Sequence, residues 1–368
     1  MRIGESMKKK VVHLVYSMGC GGLEKVIVNL INGSYDEVEH IIISLTPEFE
    51  MTAGIIPDIQ IFCLDKKPGK DIGCHFRLYK LLKQLSPDAI NTYNFGTIEY
   101  HVTAFLAGVK TRVHSDHGHG GDAQDGLNKK NNFIRKISSY FIDDYVVVSQ
   151  DLMDWVTQVV KVKPGRRHLI QNGVEVPKQL FEVKGSGSGI KTISTVGRLD
   201  PVKNQALLLK AFKRVLDNYP SARLKIVGDG SEKEKLTKLA QELSITSTVD
   251  FLGYREDVKE QLVSSDLFVL SSHYEAMPMT ILEAMAVGVP VVTTDVGGIR
   301  HFIDERYAYF VTANSEEELA KSMCEALFRN KKTEDMILNS YNLVKRQYSI
   351  EAMISRYKDI YLSEKNRD

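Results

Sequence analysis

Short apolar runs followed at once by amphipathic helical patterns recur along the whole chain, and this alternation is what most limits its fold. The first such pair is Val11-Val12-His13-Leu14-Val15-Tyr16, a glycine-rich turn, and a helix over 23–31. Strands are predicted next at 39–45, 60–64, 89–91, 111–115, 145–149 and 167–170. A second series follows at 192–196, 223–227, 248–252, 266–270 and 290–293, again with helices between. Alternation of this kind builds parallel sheets covered on both faces. At 368 residues the chain exceeds one ordinary core. The expected fold class is therefore α/β, with two Rossmann-like, doubly wound parallel-sheet domains.

Asn172-Gly173 is a turn signal, and Gly185-Ser186-Gly187-Ser188-Gly189 is a flexible run. They divide the chain into a first domain at 1–172, a joint at 173–190 and a second domain at 191–348. A final helix over about 349–364 carries Met353, Ile354, Tyr357, Ile360 and Tyr361 on one face, which suits it to cross back onto the first domain.

Charged residues make up 26% and nearly cancel, to a net +1, which argues against a dedicated nucleic-acid binder and against disorder. Cys20, Cys63, Cys74 and Cys324 are far apart and form no CxxC pair, so neither a zinc site nor a disulfide framework is indicated. Lys8-Lys9-Lys10 leads into a strand rather than a signal-peptide core, and no apolar run reaches the roughly 20 residues needed to span a bilayer. A cytoplasmic protein is expected, with any membrane contact peripheral.

Ligands of open parallel sheets bind beyond the carboxyl ends of the strands, and two facing domains would bring those ends to a shared cleft. After the first strand, Gly19-Cys20-Gly21-Gly22-Leu23-Glu24 approaches a dinucleotide fingerprint but has Glu24 where a third glycine is needed. A glycine turn opening a helix remains, able to bring Gly21 and Gly22 close to a phosphate or sugar, or to serve simply as a tight turn. In the second series, Gly197-Arg198-Leu199-Asp200-Pro201-Val202-Lys203-Asn204 sets two cations five positions apart, able to converge on one diphosphate. The alternative is that Arg198 pairs with Asp200 and Lys203 is solvated. Further on, His273-Tyr274-Glu275-Ala276-Met277-Pro278-Met279-Thr280-Ile281-Leu282-Glu283 places an acid on each side of a helix start. Pro278 suits the first turn of that helix and Gly288 its stop. Its free N–H groups favour an anion between the acids, unless both are ordinary solvated helix charges.

Gly197-Arg198-Leu199 with Lys203-Asn204, Ile226-Val227-Gly228-Asp229-Gly230, Val249-Asp250-Phe251-Leu252-Gly253, and Glu275 with Glu283 occur in series over roughly residues 190–310. Together they resemble the retaining GT-B glycosyltransferases, in particular glycosyltransferase family 4. The first half fits more loosely, through Gly21-Gly22, residues 114–118 and Ile170-Gln171-Asn172-Gly173-Val174. Residues 114–122 are similar to a strand-end segment of bacterial exopolysaccharide sugar transferases.

The resemblance implies a nucleotide-sugar donor, uridine being the base most frequent in the family, and a glycan or lipid-linked acceptor. Arg198 and Lys203 would hold the diphosphate, Glu283 the ribose hydroxyls and Glu275 the sugar that moves. Ala276, Met277, Pro278 and Met279 would supply backbone contacts, and Gly253 and Tyr254 would border the base. Ala276 departs from the glycine most common at its position and crowds that approach slightly. Glu275 is a positioning group in this scheme, because the leaving phosphate helps to deprotonate the acceptor. Arg198, Lys203 and the helix start supply the neutralising charge, so no metal and no cofactor is expected.

His114, His117 and His119 cluster at one strand end of the first domain. With Asp116 or Asp122 they could be weighed as a metal site, but His-x-x-His-x-His on a glycine-rich loop matches no standard ligand spacing. By resemblance His117 lies against the transferring sugar, with His114 and His119 as further sugar or acceptor contacts. The catalytic set expected is thus His117, Arg198, Lys203 and Glu275. Asp143-Asp144 is an adjacent pair leading into a strand and reads as structural. Lys129, Lys130, Arg135 and Lys136 with two apolar residues on a short helix are either a solvated face or a contact with anionic lipid. Two other assignments compete with transfer: a sugar-nucleotide epimerase of the same architecture, and a non-catalytic nucleotide-sugar-binding partner protein. The intact Arg198, Lys203, Glu275 and Glu283 argue against the second.

Overall fold

The computed structural model describes residues 8–19, 22–118, 128–180, 189–275 and 277–363. The chain divides into two compact units, Met1–Gly173 with Ile350–Asp368, and Val174–Ser349. Gly21, His119, Ala276, the glycine-serine stretch 185–188 and Asp122 lie outside the described residues.

The first unit runs β1 (Lys9–Val15), α1 (Gly22–Ser34), β2 (Val38–Ser44), β3 (Gln60–Cys63), α2 (Ile72–Leu85), β4 (Ala89–Tyr93), α3 (His101–Ala107), β5 (Thr111–Asp116), α4 (Lys129–Ser138), β6 (Asp144–Val147), α5 (Gln150–Trp155) and β7 (Arg167–Leu169). The second runs β8 (Thr192–Val196), α6 (Gln205–Asn218), β9 (Arg223–Val227), α7 (Lys233–Glu242), β10 (Val249–Gly253), α8 (Val258–Val263), β11 (Leu267–Leu270), α9 (Met279–Ala286), β12 (Val291–Thr294), β13 (Tyr309–Val311), α10 (Glu316–Phe328) and α11 (Lys331–Leu343). The last helix, α12 (Ile350–Leu362), belongs to the first unit.

Each unit holds one sheet, in the orders β3-β2-β1-β4-β5-β6-β7 and β10-β9-β8-β11-β12-β13, and every pairing within them is parallel. Because both faces of a parallel sheet are covered, β11 and β12 are buried at every position. Strand β13 has no counterpart among the expected strands. It is three residues long and pairs only with β12, so its sequence carries no readable period.

Part of the expected joint is not a free linker. Val174 is 4% exposed and packs with Tyr348 and the helices of the second unit, and the Val174 N–H donates to the Tyr348 carbonyl at 2.8 Å. Tyr341 donates to the Pro177 carbonyl.

Helix α12 lies on α1 and the sheet of the first unit, with Met353, Ile354, Tyr357, Ile360 and Tyr361 in one core with Val26, Leu30 and Val113. Gly33, inside α1, makes room for it: a Cβ there would stand 2.1 Å from Ile354 Cδ1. Beneath runs a buried polar chain whose direction is set at one end. Ser34 Oγ donates to the Leu30 carbonyl, so it accepts from His40 Nε2, and His40 Nδ1 then accepts from His13 Nε2. His13 Nδ1 accepts from the Tyr93 hydroxyl, and Asn91 Nδ2 donates to both Tyr93 and Tyr361 of α12. Every member is satisfied only while both histidines are neutral.

Burial holds His13 well below the ordinary histidine range, aided by its neighbour His40, and burial lowers His40 to about 4. The unfolded chain therefore binds protons that the folded chain refuses. Stability from these histidines is complete above pH 6.5 and is lost as the pH falls toward 4, by about 3 kcal/mol for His40 alone. A thermal melt of the full chain should fall steeply between pH 6.5 and 4. The double variant His13→Gln/His40→Gln should flatten that profile, and an unchanged slope would refute the assignment.

Candidate active site

The strand-end loops of the second unit are tied together from the backbone outward. After β8, the Gly197 N–H donates to the Val227 carbonyl at 3.0 Å and the Leu199 N–H to the Asp229 carbonyl at 2.9 Å. The turn after β9 lies so close that a Cβ on Gly228, whose φ is +135°, would stand 2.0 Å from the Gly197 carbonyl oxygen. That contact requires glycine in the Val227-Gly228-Asp229 turn. The Gly228 N–H reaches across to the carbonyl of Gly253, which ends β10 with φ +68°. Tyr254, next to it, is 77% exposed.

The loop after β8 is also sewn to the loop after β11. Asp200 caps the turn through Lys203 N–H, the His273 N–H donates to the Val202 carbonyl at 2.7 Å, and Ser271 Oγ donates to the carbonyls of Lys203 and Asn204. This stitching aims Lys203 at Glu275: Nζ lies 2.6 Å from Glu275 Oε1. Ser272 Oγ donates to the same oxygen at 2.6 Å. Glu275 is 7% exposed, and its backbone carbonyl accepts the Gly298 N–H at 2.7 Å. Gly297, with φ +55°, is packed so tightly beneath that a Cβ would stand 2.1 Å from this carbonyl oxygen.

Of the two cations expected on a diphosphate, only one is solvated. Arg198 is 84% exposed at its side chain and pairs with Asp200 at 3.3 Å. Lys203, at 22% exposure, is committed to Glu275 instead of to water. Helix α9 begins one residue later than expected and ends before Gly288, with Pro278 in an extended conformation at its N-cap. Glu283 is the fifth residue of α9 and is half-buried, while Met277 and Met279 are half-buried and Pro278 is buried. Ser271, Ser272, Gly297 and Gly298 were not singled out from the sequence. The serine pair directly after β11 and the glycine pair two residues beyond β12 were the available signal.

At the corresponding strand ends of the first unit, Gly22 opens α1, and a Cβ there would meet nothing within 4 Å, so packing does not demand a glycine. His117 follows β5, and its N–H donates to Asn94 Oδ1 at 2.8 Å; Asn94 itself has φ +56°. Both ring nitrogens of His117 are buried and lack a hydrogen-bond partner among the described residues. Burial lowers its pKa to about 4, Asp116 opposing that shift and His114 adding to it.

His114 is not a loop residue. It is wholly buried within β5, with Nδ1 2.6 Å from Thr92 Oγ1 and Nε2 3.4 Å from Asp116 Oδ1, so the expected contact with sugar or acceptor is corrected to an interior role. Asp116 is the hub of a buried cluster. It accepts from Tyr145 at 2.6 Å and faces Arg135 Nε at 3.3 Å. Burial works against its charge, yet His114, Arg135 and Tyr145 together hold it below the usual carboxylate range. Arg135, 1% exposed, is clasped between the rings of Phe95 and Trp155. It cannot reach lipid, which removes it from the expected membrane contact; Lys129, Lys130 and Lys136 are exposed. Asp143 pairs with Arg112 and Asp144 with His168. Among the described residues no group of three or more His, Cys, Asp or Glu is placed to hold a metal ion.

Residues 20–177 match the family model for Glycosyltransferase Family 4, and residues 178–343 match that for Glycosyl transferases group 1. The chain belongs to the family 4 glycosyltransferases. It is 27% identical over 318 residues to the UDP-Gal:alpha-D-GlcNAc-diphosphoundecaprenol alpha-1,3-galactosyltransferase of Escherichia coli, covering 80% of each chain. It is 25% identical over 343 residues to the N-acetylgalactosamine-N,N'-diacetylbacillosaminyl-diphospho-undecaprenol 4-alpha-N-acetylgalactosaminyltransferase of Campylobacter jejuni, covering 86% of this chain and 89% of that one. The fold matches Anabaena HepE, solved in complex with UDP, at a TM-score of 0.79 and 18% identity, over 96% of this chain and all of that one. This glycosyltransferase therefore has the GT-B architecture of two parallel-sheet α/β domains.

Proposed function

We propose that this glycosyltransferase moves a sugar, with retention, from a UDP-sugar to a hydroxyl of a glycan carried on a lipid, in cell-surface polysaccharide synthesis. The observation that carries the reading is the Lys203–Glu275 pair, held at the carboxyl edge of the second sheet by Ser271, Ser272 and Gly298. Such a pair offers a cation to the leaving diphosphate and a fixed acid to the sugar hydroxyls. Arg198, exposed beside it, and the start of α9 add positive potential, so the leaving group is neutralised without a metal. Glu283, one turn inside α9, serves the ribose, and Gly253 with Tyr254 borders the base. His117 supports the assignment of the transferring sugar to its neighbourhood, since two buried ring nitrogens that have no partner among the described residues suit a ligand that satisfies them. The relatives of Escherichia coli and Campylobacter jejuni, named for diphospho-undecaprenol substrates, support the lipid-linked acceptor.

The test is a thermal-shift panel of UDP, GDP and ADP with their sugars, followed by transfer of a labelled sugar in the presence of EDTA. A donor at 100 times its Kd stabilises the fold by about 2.7 kcal/mol, so the uridine members should raise the melting temperature and Glu283→Ala should abolish that rise. Transfer should persist in EDTA. A panel in which no nucleotide shifts the melt would contradict the donor site, and loss of transfer in EDTA would contradict the metal-free mechanism.

A further inference from the structure

The first unit carries an outer layer whose composition its packing does not explain. The connections from β3 to β4, β4 to β5 and β5 to β6 step in one direction across the sheet, whereas β1 to β2 steps in the other. Right-handed crossovers therefore set α2, α3 and α4 side by side on one face and α1 on the opposite one. Side-chain contacts join the layer: His75 of α2 hydrogen-bonds Thr103 of α3 at 2.8 Å, and Phe105 of α3 packs against Phe141, beyond α4, at 5.5 Å between ring centroids.

Residues 72–85, 101–107 and 129–141 contain no Asp and no Glu, in a chain whose charges otherwise nearly cancel. Helices of the second unit show no such bias; α10 opens Glu316-Glu317-Glu318. The outer side of this acid-free layer exposes large apolar groups: Ile72 (85%), Phe76 (60%), Leu106 (65%), Phe133 (64%), Ile137 (45%) and Tyr140 (69%). Lys80, Lys129, Lys130 and Lys136 are exposed among them, and Lys80 Nζ sits 4.6 Å from the centre of the Phe76 ring. Among the described residues, the acids nearest these segments in sequence are Asp71, paired with Arg77 at 2.9 Å, Asp88, Glu99, and Asp143, paired with Arg112 at 2.8 Å.

Apolar side chains projecting from helices lying in one plane, interspersed with lysines, form the pattern of a surface that sinks into the headgroup boundary of an anionic bilayer. We infer that the α2-α3-α4 face of the first unit docks on an anionic lipid membrane, its aromatic and aliphatic groups entering the interface and its exposed lysines, Lys80, Lys129, Lys130 and Lys136 among them, meeting lipid phosphate. No helix among the described residues is long and apolar enough to cross a membrane, so the contact is peripheral. The inference extends the lipid-linked acceptor reading by giving it a means of approach, but vesicle binding is measurable without any transfer.

Co-sedimentation of the full chain with phosphatidylcholine vesicles, alone or with 30% phosphatidylglycerol (about one lipid in three, where surface charge is high), provides the test. Binding should require the anionic lipid and weaken as salt rises, because exposed charge is screened. Each lysine contributes about fivefold in partition, so Lys80→Gln/Lys129→Gln/Lys130→Gln/Lys136→Gln should lower it by about two orders of magnitude or more. Leu106→Ser/Phe133→Ser/Ile137→Ser should lower binding with its melting temperature kept. The control Lys235→Gln/Lys238→Gln, on exposed lysines of α7, should bind like the parent.

Equal binding to neutral and anionic vesicles, none to either, or equal loss in the α7 control would overturn the inference. So would a dimer in light scattering that requires Phe133 and Ile137, since the face would then belong to a second copy. Transfer to a water-soluble acceptor should be unchanged in the four-lysine variant. Failure of vesicle binding with that transfer intact sinks the docking face alone, while vesicle binding without any nucleotide response sinks the enzymatic reading alone.

Discussion

Lys203→Met is expected to lower kcat for sugar transfer about 10²- to 10³-fold, the loss typical when one preorganised donor to a developing negative charge is removed. Methionine keeps much of the aliphatic stem, so the loop after β8 retains Asp200 as its cap and its carbonyl bonds to Ser271. What disappears is the ammonium 2.6 Å from Glu275. Glu275→Gln removes the partner charge but leaves an oxygen to accept from Ser272. Because the two groups act as a unit, the double variant should be little worse than the poorer single variant. Steady-state kinetics of the three variants, with donor and acceptor each varied, checks this. Losses that multiply in the double variant would show that lysine and acid serve separate steps.

The largest stability effect is expected at Arg135. Its guanidinium and the Asp116 carboxylate are 1% and 0% exposed, so truncating one leaves the other buried without its counter-charge. Breaking such a pair costs about 3–5 kcal/mol. Arg135→Leu should therefore destabilise the first unit by that amount, and Arg135→Leu/Asp116→Asn should recover part of it by removing both charges. Trp155, the single tryptophan of the chain, lies 4.9 Å from the Arg135 guanidinium, so its fluorescence in a urea titration reports this unit. A loss below about 1 kcal/mol for Arg135→Leu would place the pair among surface-like contacts and contradict the account.

How far the sequence could be read depended on the length scale of the signal. Strands β8 and β9 were legible to the residue, because their short β-branched and aliphatic runs, with Ile193 and Val196 and with Leu224, Ile226 and Val227 buried, end directly at glycine turns. Strand β13 was not, since three edge residues carry no period. Glu275 and Lys203 were legible as separate site residues, but their pairing was not. It arises from the His273 and Ser271 bonds between loops about 70 residues apart in sequence, which no local pattern records. Arg135 misled for the same reason. Among three exposed lysines it looked like a surface cation, and only the fold brings Asp116, Phe95 and Trp155 around it. His114 already lay inside the strand expected over 111–115, but its sequence did not show that this side chain is wholly buried, with Thr92 and Asp116 as its partners.

The claim on which the rest depends is that the donor lies on the loops after β8, β10 and β11 in the second unit. Amide hydrogen exchange of the full chain with and without a UDP-sugar tests it most directly. Protection should rise in peptides spanning 197–204, 253–258 and 271–283, with a smaller effect around 117 in the first unit. Protection confined to the amino-terminal edge of either sheet, or no change at saturating UDP-sugar, would contradict the account.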